Sequence, residues 1–378
     1  MPVDTAPEAL RRLGVRPGLN CSGTNTRFGG ARIWPQVKET MDAVIELDVD
    51  MHELTRKAGR RLAELCGAEA AVITSGASGA MTLQAAACIA GTDPAKIHRL
   101  PDTTGMKAEI PIYKGHRIRY DQAWRKAGAT LVEYGDMRDC SQWELEQAMG
   151  PETAALAYMV GPTLPYSALA LETVCETARA HGLPVIVDAA AMLPPRANLR
   201  KYLDQGADMV AFSGGKGLRG PQGAGLLLGR ADLIEAAIAN TSPNHGVGRS
   251  GKVAKEEMLG LLTAVEVFLA QDEEAEFANW SRQSRYIADV LAELPGLTAT
   301  VENDGVEWVV PTAVVQLGRD WRGQSKAAVA ARLKEGDPPI FIGQAPTPGT
   351  LFVKTINLSD ADVELVAARL LEVLAGPA

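Results

Sequence analysis

Two stretches decide how this chain reads: Val185-Ile186-Val187-Asp188, and Met209-Val210-Ala211-Phe212-Ser213-Gly214-Gly215-Lys216. Each is a short apolar run without alternation, the pattern of a strand covered on both faces. A helical pattern over 196–205 separates them. Strand, helix, strand in this rhythm is a right-handed parallel crossover, so both strands finish at one sheet edge. In open parallel sheets, ligands bind beyond that edge. Asp188 and Lys216 therefore arrive there together. A carboxylate and an amine so placed suit pyridoxal 5'-phosphate, the Asp keeping the pyridine nitrogen protonated and the Lys binding the aldehyde. Gly214 and Gly215 let the backbone turn tightly beneath the cofactor. The competing reading makes Asp188 a strand-end cap and Lys216 a solvated loop lysine.

Working outward, apolar runs at 70–74, 130–135, 155–160 and 224–229 read as further strands, with helices over 52–66, 78–90 and 171–181. The run Val72-Ile73-Thr74-Ser75-Gly76-Ala77-Ser78-Gly79 takes a strand into small and hydroxylated residues that open a helix. Free N–H groups and the positive end of a helix dipole make such a start a phosphate cradle, although Ser75 or Ser78 acting as a simple N-cap fits the same letters. Beyond Gly229 the rhythm changes. Helices are expected over 255–269 and 274–294, the second linking domains, then strands at 307–311, 313–317 and 350–356 with helices over 324–334 and 359–374. The expected organisation is an N-terminal arm (1–45), a large cofactor-binding domain (46–270) and a small α+β domain (271–378).

Composition excludes several classes. Among 378 residues, 38 Lys+Arg stand against 46 Asp+Glu, a formal charge of −8. That acidic balance disfavours nucleic acid as a partner. No apolar run approaches the roughly 18 residues of a membrane helix, so no membrane partner is expected. The start lacks the basic and apolar regions of an export signal, which points to the cytoplasm. Five cysteines, at 21, 66, 88, 140 and 175, show no C-x-x-C spacing. They read as reduced and mostly buried. Five scattered histidines offer no ligand set, and no metal site is expected.

The runs Val187-Asp188-Ala189-Ala190, Leu193-Pro194-Pro195, Asn198-Leu199 and, above all, 213–222 resemble the selenocysteine-synthase-like family of fold-type I pyridoxal-phosphate enzymes. That family embraces L-seryl-tRNA(Sec) selenium transferases and D-glucosaminate-6-phosphate ammonia-lyase-like proteins. Residues 19–24, 67–71, 74–77 and 249–257 add to a likeness that spans nearly the whole chain. The resemblance implies an α/β, aspartate-aminotransferase-like fold, with a mainly parallel seven-stranded sheet and a smaller α+β C-terminal domain. It implies Lys216 as Schiff-base lysine, Asp188 as pyridinium partner, and Ser75, Gly76, Ala77 and Ser213 as phosphate ligands. His116 stands where a ring commonly stacks on the pyridine and can shuttle protons, or it is an ordinary loop histidine. Asn20, Thr24, Thr26 and Arg27 either line a substrate pocket or cap a subunit interface. Arg249, Lys252 and Lys255 reach toward a phosphate across a dimer, or form a solvated helix start. The six tryptophans show no stripe and read as packing residues.

Two departures bear on function. The tRNA-dependent members carry an added N-terminal RNA-binding domain, whereas about 45 loop-rich residues precede the first long helix here, so selenium transfer to tRNA is not expected. Related sequences also carry a carboxylate-binding arginine after Pro-Pro-Ile, where this chain reads Pro338-Pro339-Ile340-Phe341-Ile342-Gly343-Gln344. Neutral Gln344 brings no charge, so either Arg27, Arg117 or Arg119 takes the carboxylate or the substrate differs. The expected substrate is a small-molecule amino acid or amino sugar acid, the reaction β-elimination from a 2-amino-3-hydroxy acid, and the assembly a homodimer or larger. Racemisation, transamination and β-replacement share the same Cα deprotonation and stay open, as does a fold kept only for binding.

Overall fold

The computed structural model describes residues 7–161, 164, 168–305 and 307–376. The first strand, β1 (Leu19–Cys21), belongs to a different sheet from the seven that follow. These are β2 (Ala70–Thr74), β3 (Glu109–Tyr113), β4 (Thr130–Tyr134), β5 (Leu156–Met159), β6 (Val185–Asp188), β7 (Met209–Ser213) and β8 (Gly225–Gly229). They form one sheet in the order β2-β8-β7-β6-β5-β3-β4, in which only β8 runs antiparallel. The mainly parallel seven-stranded sheet is thus as expected. Every residue of β6 and β8 is buried, as are four of the five in β7, which is why those strands read as unbroken apolar runs. Edge strand β4 carries exposed Thr130 and Glu133.

Helix Met51–Cys66 covers β2 so closely that a Cβ on Gly59 would lie 2.4 Å from Ala71 O. Helix Gly76–Ala90 is buried along most of its length. A buried amide interrupts its apolar surface. Gln84, fully buried, donates through Nε2 to Val187 O (3.0 Å) and Met209 O (3.3 Å), and its Oε1 accepts from Trp124 Nε1 (3.0 Å). A buried amide is tolerated only when its polar atoms are paired. Here the pairing ties the helix to β6 and β7.

The chain divides into two compact units, one of residues 33–270 and the other, among described residues, of 7–32 with 271–376. The stretch expected as an arm is shared between them: β1 joins the second unit, and helix Pro35–Val44 the first. The second unit's sheet runs β1-β11-β12-β10-β9, with β9 (Leu297–Glu302), β10 (Thr312–Leu317), β11 (Ile340–Gln344) and β12 (Thr350–Lys354). Helices Glu273–Leu291, Lys326–Glu335 and Asp360–Ala375 accompany it. The first of these, expected to link domains, lies wholly within this unit.

The expected strand at 307–311 does not form. Asp304 Oδ1 accepts from Trp308 N (2.9 Å), and Trp308 O accepts from Gly305 N (3.3 Å), so the segment closes a turn and the strand starts at Thr312. Conversely, β1, β3, β9 and β11 are strands that the apolar pattern did not reveal. In β3, Pro111 interrupts the signal although the strand lies inside the sheet.

Candidate active site

Six parallel strands, β2, β7, β6, β5, β3 and β4, deliver their C-terminal ends to one edge of the large sheet. Ser75 follows β2, Lys216 follows β7, Asp188 ends β6, and His116 closes the turn Lys114–His116 after β3. All the cofactor-site candidates drawn from the sequence are therefore gathered here, within one unit.

Asp188 is 6% exposed, and its Oδ1 accepts from Ala190 N at 2.9 Å. Burial raises its pKa, while the Ala190 N–H and the charge of Lys216 pull it back. Burial likewise lowers the pKa of Lys216 against the opposing pull of Asp188. The loop carrying Lys216 has no room for side chains at its glycines. A Cβ on Gly215 would lie 2.5 Å from Gln222 Oε1, and one on Gly217 2.0 Å from Leu193 O.

At the start of helix Gly76–Ala90, Gly76 has φ +66°, and the Ser75 hydroxyl makes no capping bond. The simple N-cap reading of Ser75 thus fails, and the first N–H groups stay unspent. Ser75 Oγ is wedged between Gly79 and Gly251, where a Cβ on either would approach to 2.4 Å. A cavity of about 110 Å³ opens beside it, lined by Ser78, Thr82, Lys126, Thr241 and Ser250 among others. A larger hollow of about 440 Å³ lies at the opposite end of β2, against Ala70 and Ala71, and holds none of these residues.

His116 is 2% exposed. Its ring meets Tyr113 and Tyr158 edge-on at 5.2 and 4.7 Å, and Nδ1 accepts from Met159 N at 3.4 Å. Burial lowers its pKa to about 4, so near neutral pH the ring is uncharged, with its proton on Nε2.

The substrate candidates are scattered. Arg117 is committed to Asp121 (2.7 Å) and Glu133. Arg119 is exposed, in the turn Arg119–Asp121. In the small unit, Asn20 is occupied by backbone: its amide donates to Gly23 O (2.7 Å) and Gly30 O (3.1 Å), and its carbonyl accepts from Ser22 N. Asn357 donates to the same two carbonyls. The loop between is held at both ends, with Thr26 and Arg27 exposed on it. Gln344 is exposed at the end of β11. At Gly343 a Cβ would lie 2.1 Å from the Phe352 ring, so that position admits no side chain. Sequence reading also missed Lys354, whose burial-lowered ammonium lies over Trp308 and Phe352 at 5.7 and 5.6 Å.

The aminotransferase class-V family matches residues 39–258. The chain belongs to that family. It is accordingly a fold-type I enzyme that uses pyridoxal phosphate. Among its relatives, the 5'-C-glycyluridine monooxygenase-decarboxylase of a Streptomyces species is 34% identical, covering 96% of this chain and 91% of that protein. The D-glucosaminate-6-phosphate ammonia lyase of Salmonella typhimurium is 29% identical over 97% and 98% of the two chains. A solved structure of D-glucosaminate-6-phosphate ammonia-lyase superposes with a TM-score of 0.85 over 98% of this chain and 99% of that one, at 29% identity. An L-seryl-tRNA(Sec) selenium transferase from Solidesulfovibrio magneticus is 28% identical over 75% of this chain and 67% of its own length. The resemblance seen in the motifs thus extends to the class-V family as a whole. The oxidative chemistry named for the Streptomyces relative is a route that sequence reading did not carry.

The sheet edge fits the class-V cofactor. Asp188 is a buried carboxylate with one backbone donor, an environment completed by a cationic ring N–H. The helix start is uncapped, glycines pack around Ser75, and Ser75, Ser78 and Gly79 line an open cavity, which suits a phosphate.

Proposed function

We propose that this class-V enzyme is a lyase acting on a 2-amino-3-hydroxy acid, with an amino sugar acid as the leading substrate class. The net reaction removes Cα–H and Cβ–OH as water. The resulting enamine takes water back and gives a 2-keto acid and ammonia. The observation that carries this reading is Asp188 at the end of β6 and Lys216 just beyond the adjacent parallel β7, in a chain like an ammonia lyase over 97% of its length.

Bound pyridoxal phosphate supplies an electron sink for the carbanion formed at the substrate Cα. In our reading Lys216 holds the cofactor aldehyde. Its Nζ would also be the base for the Cα proton, and burial, which lowers its pKa against the pull of Asp188, favours the uncharged amine that this task needs. Asp188 keeps the ring nitrogen protonated. The N–H groups of Gly76 and Ala77, with Ser75 and Ser213, hold the phosphate. Neutral His116 packs by the ring and donates through Nε2. Arg119, which makes no ion pair among the described residues, is the candidate for the carboxylate within this unit. The working assembly is a homodimer or larger.

One observation favours a second reading. The Streptomyces relative has the higher identity and a name that denotes oxygen insertion with decarboxylation. A panel of 2-amino-3-hydroxy acids, phosphorylated and not, is incubated with holoenzyme with and without oxygen. Ammonia and keto acid in equal amounts, independent of oxygen, are expected. Oxygen uptake coupled to carbon dioxide release supports the second reading, and no product with any acid refutes the first.

A further inference from the structure

Three residues beyond Lys216, the backbone does something that a side chain normally forbids. Arg219 has φ +54°, the one residue other than glycine with positive φ among those described. This left-handed conformation brings Cβ against the following carbonyl, and glycine would adopt it without penalty. Such strain persists where surrounding contacts over-determine it.

Those contacts come from Trp34. Its backbone N–H donates to Arg219 O and its indole Nε1 to Leu218 O, both at 3.1 Å. The Arg219 guanidinium carbon lies 3.7 Å from the centre of the indole ring, well within the range of a cation–π contact. Trp34 is itself fixed, because it caps helix Pro35–Val44. That helix is joined to helix Lys255–Ala270 by the Thr40–Thr263 hydroxyl pair (3.0 Å) and by Met41 packed on Gly260.

The turn on the other side of the clamp is that of Lys216. Arg219 N donates to Lys216 O (2.9 Å) and Gly220 N to Gly214 O (2.9 Å), while Gly217 abuts Leu193 O. The backbone bearing Lys216 is therefore held between Leu193 and Trp34. Here an arginine occupies a position where glycine would be unstrained, with its guanidinium held on the Trp34 ring.

We propose that Trp34 and Arg219 are positioning residues, clamping the turn that aims Lys216 at the cofactor. This rests on Lys216 being the cofactor lysine.

The test compares holoenzymes of wild type, Arg219→Gly, Trp34→Leu and Trp34→Phe. For each, the visible band of the lysine-bound cofactor is titrated with pH, and kcat, KM and Tm are measured. Arg219→Gly relieves the strain, so its Tm is expected to hold or rise. Its titration midpoint shifts by about one unit, and kcat falls about tenfold or more with KM within about twofold. Trp34→Leu behaves alike, and Trp34→Phe, which keeps a ring beneath the guanidinium, recovers most of the wild-type titration. An Arg219→Gly enzyme with wild-type titration and kcat overturns the clamp alone. A wild type with no lysine-bound band overturns both the clamp and the cofactor lysine.

Discussion

His116 is a residue whose environment carries a sign. Its folded pKa of about 4 lies below the ordinary 6.5 because burial penalises the cation. As pH falls from about 6.5 toward 4, the unfolded chain takes the proton before the folded one, so stability is lost across that window at up to about 1.4 kcal/mol per unit. The raised pKa of Asp188 acts in the opposite direction. The difference between wild type and His116→Phe therefore isolates the histidine. Denaturation midpoints followed from neutral to acid pH should fall more steeply for wild type, and parallel curves would refute the assignment. Residue types were partly legible in the sequence. Asp188 and Lys216 follow from two apolar runs and a crossover. Trp34 reads as packing because nothing in a sequence reports that an indole lies over an arginine nearly two hundred positions away. Asn20 reads as a substrate ligand because only the folded loop brings Gly23 O and Gly30 O to its amide.

Elements explain why two glycines against the start of helix Gly76–Ala90, one within it and one opening β8, differ. A Cβ on Gly79 would meet Ser75 Oγ at 2.4 Å, and a serine hydroxyl can rotate away. A Cβ on Gly225 would meet the backbone of Gly76 at the same distance, and that backbone is the one we propose as the phosphate cradle. Gly79→Ala should therefore keep its stability within about 1 kcal/mol and weaken cofactor binding about three- to tenfold, the loss of roughly one hydrogen bond. Gly225→Ala should lose several times more stability, about 2–4 kcal/mol, together with the cofactor. Thermal melts and cofactor titrations check both, and equal losses in the two variants would contradict the geometry. Long apolar elements were legible because burial on both faces leaves a run. Three-residue β1 and Pro-interrupted β3 were not, since too few residues or a missing N–H blur the period.

The whole molecule shows which part of function a fold can carry. Six parallel strands put their functional ends on one edge, and the connection between β6 and β7 alone suffices to foresee that Asp188 and Lys216 share it. The substrate is less legible, because no arginine stands in the stretch Pro338–Gln344, and Phe352 is packed where a side chain at 343 would go. Among the described residues no three His, Cys, Asp or Glu side chains gather as a metal would require, and no helix is long and apolar enough to cross a membrane. In our reading Lys216 carries the cofactor at this edge. Holoenzyme reduced with borohydride, digested and mapped by mass tests it directly. The reduced cofactor is expected on the peptide containing Lys216 and absent in Lys216→Ala. A cofactor fixed to another lysine, or no fixation in wild type, would contradict it.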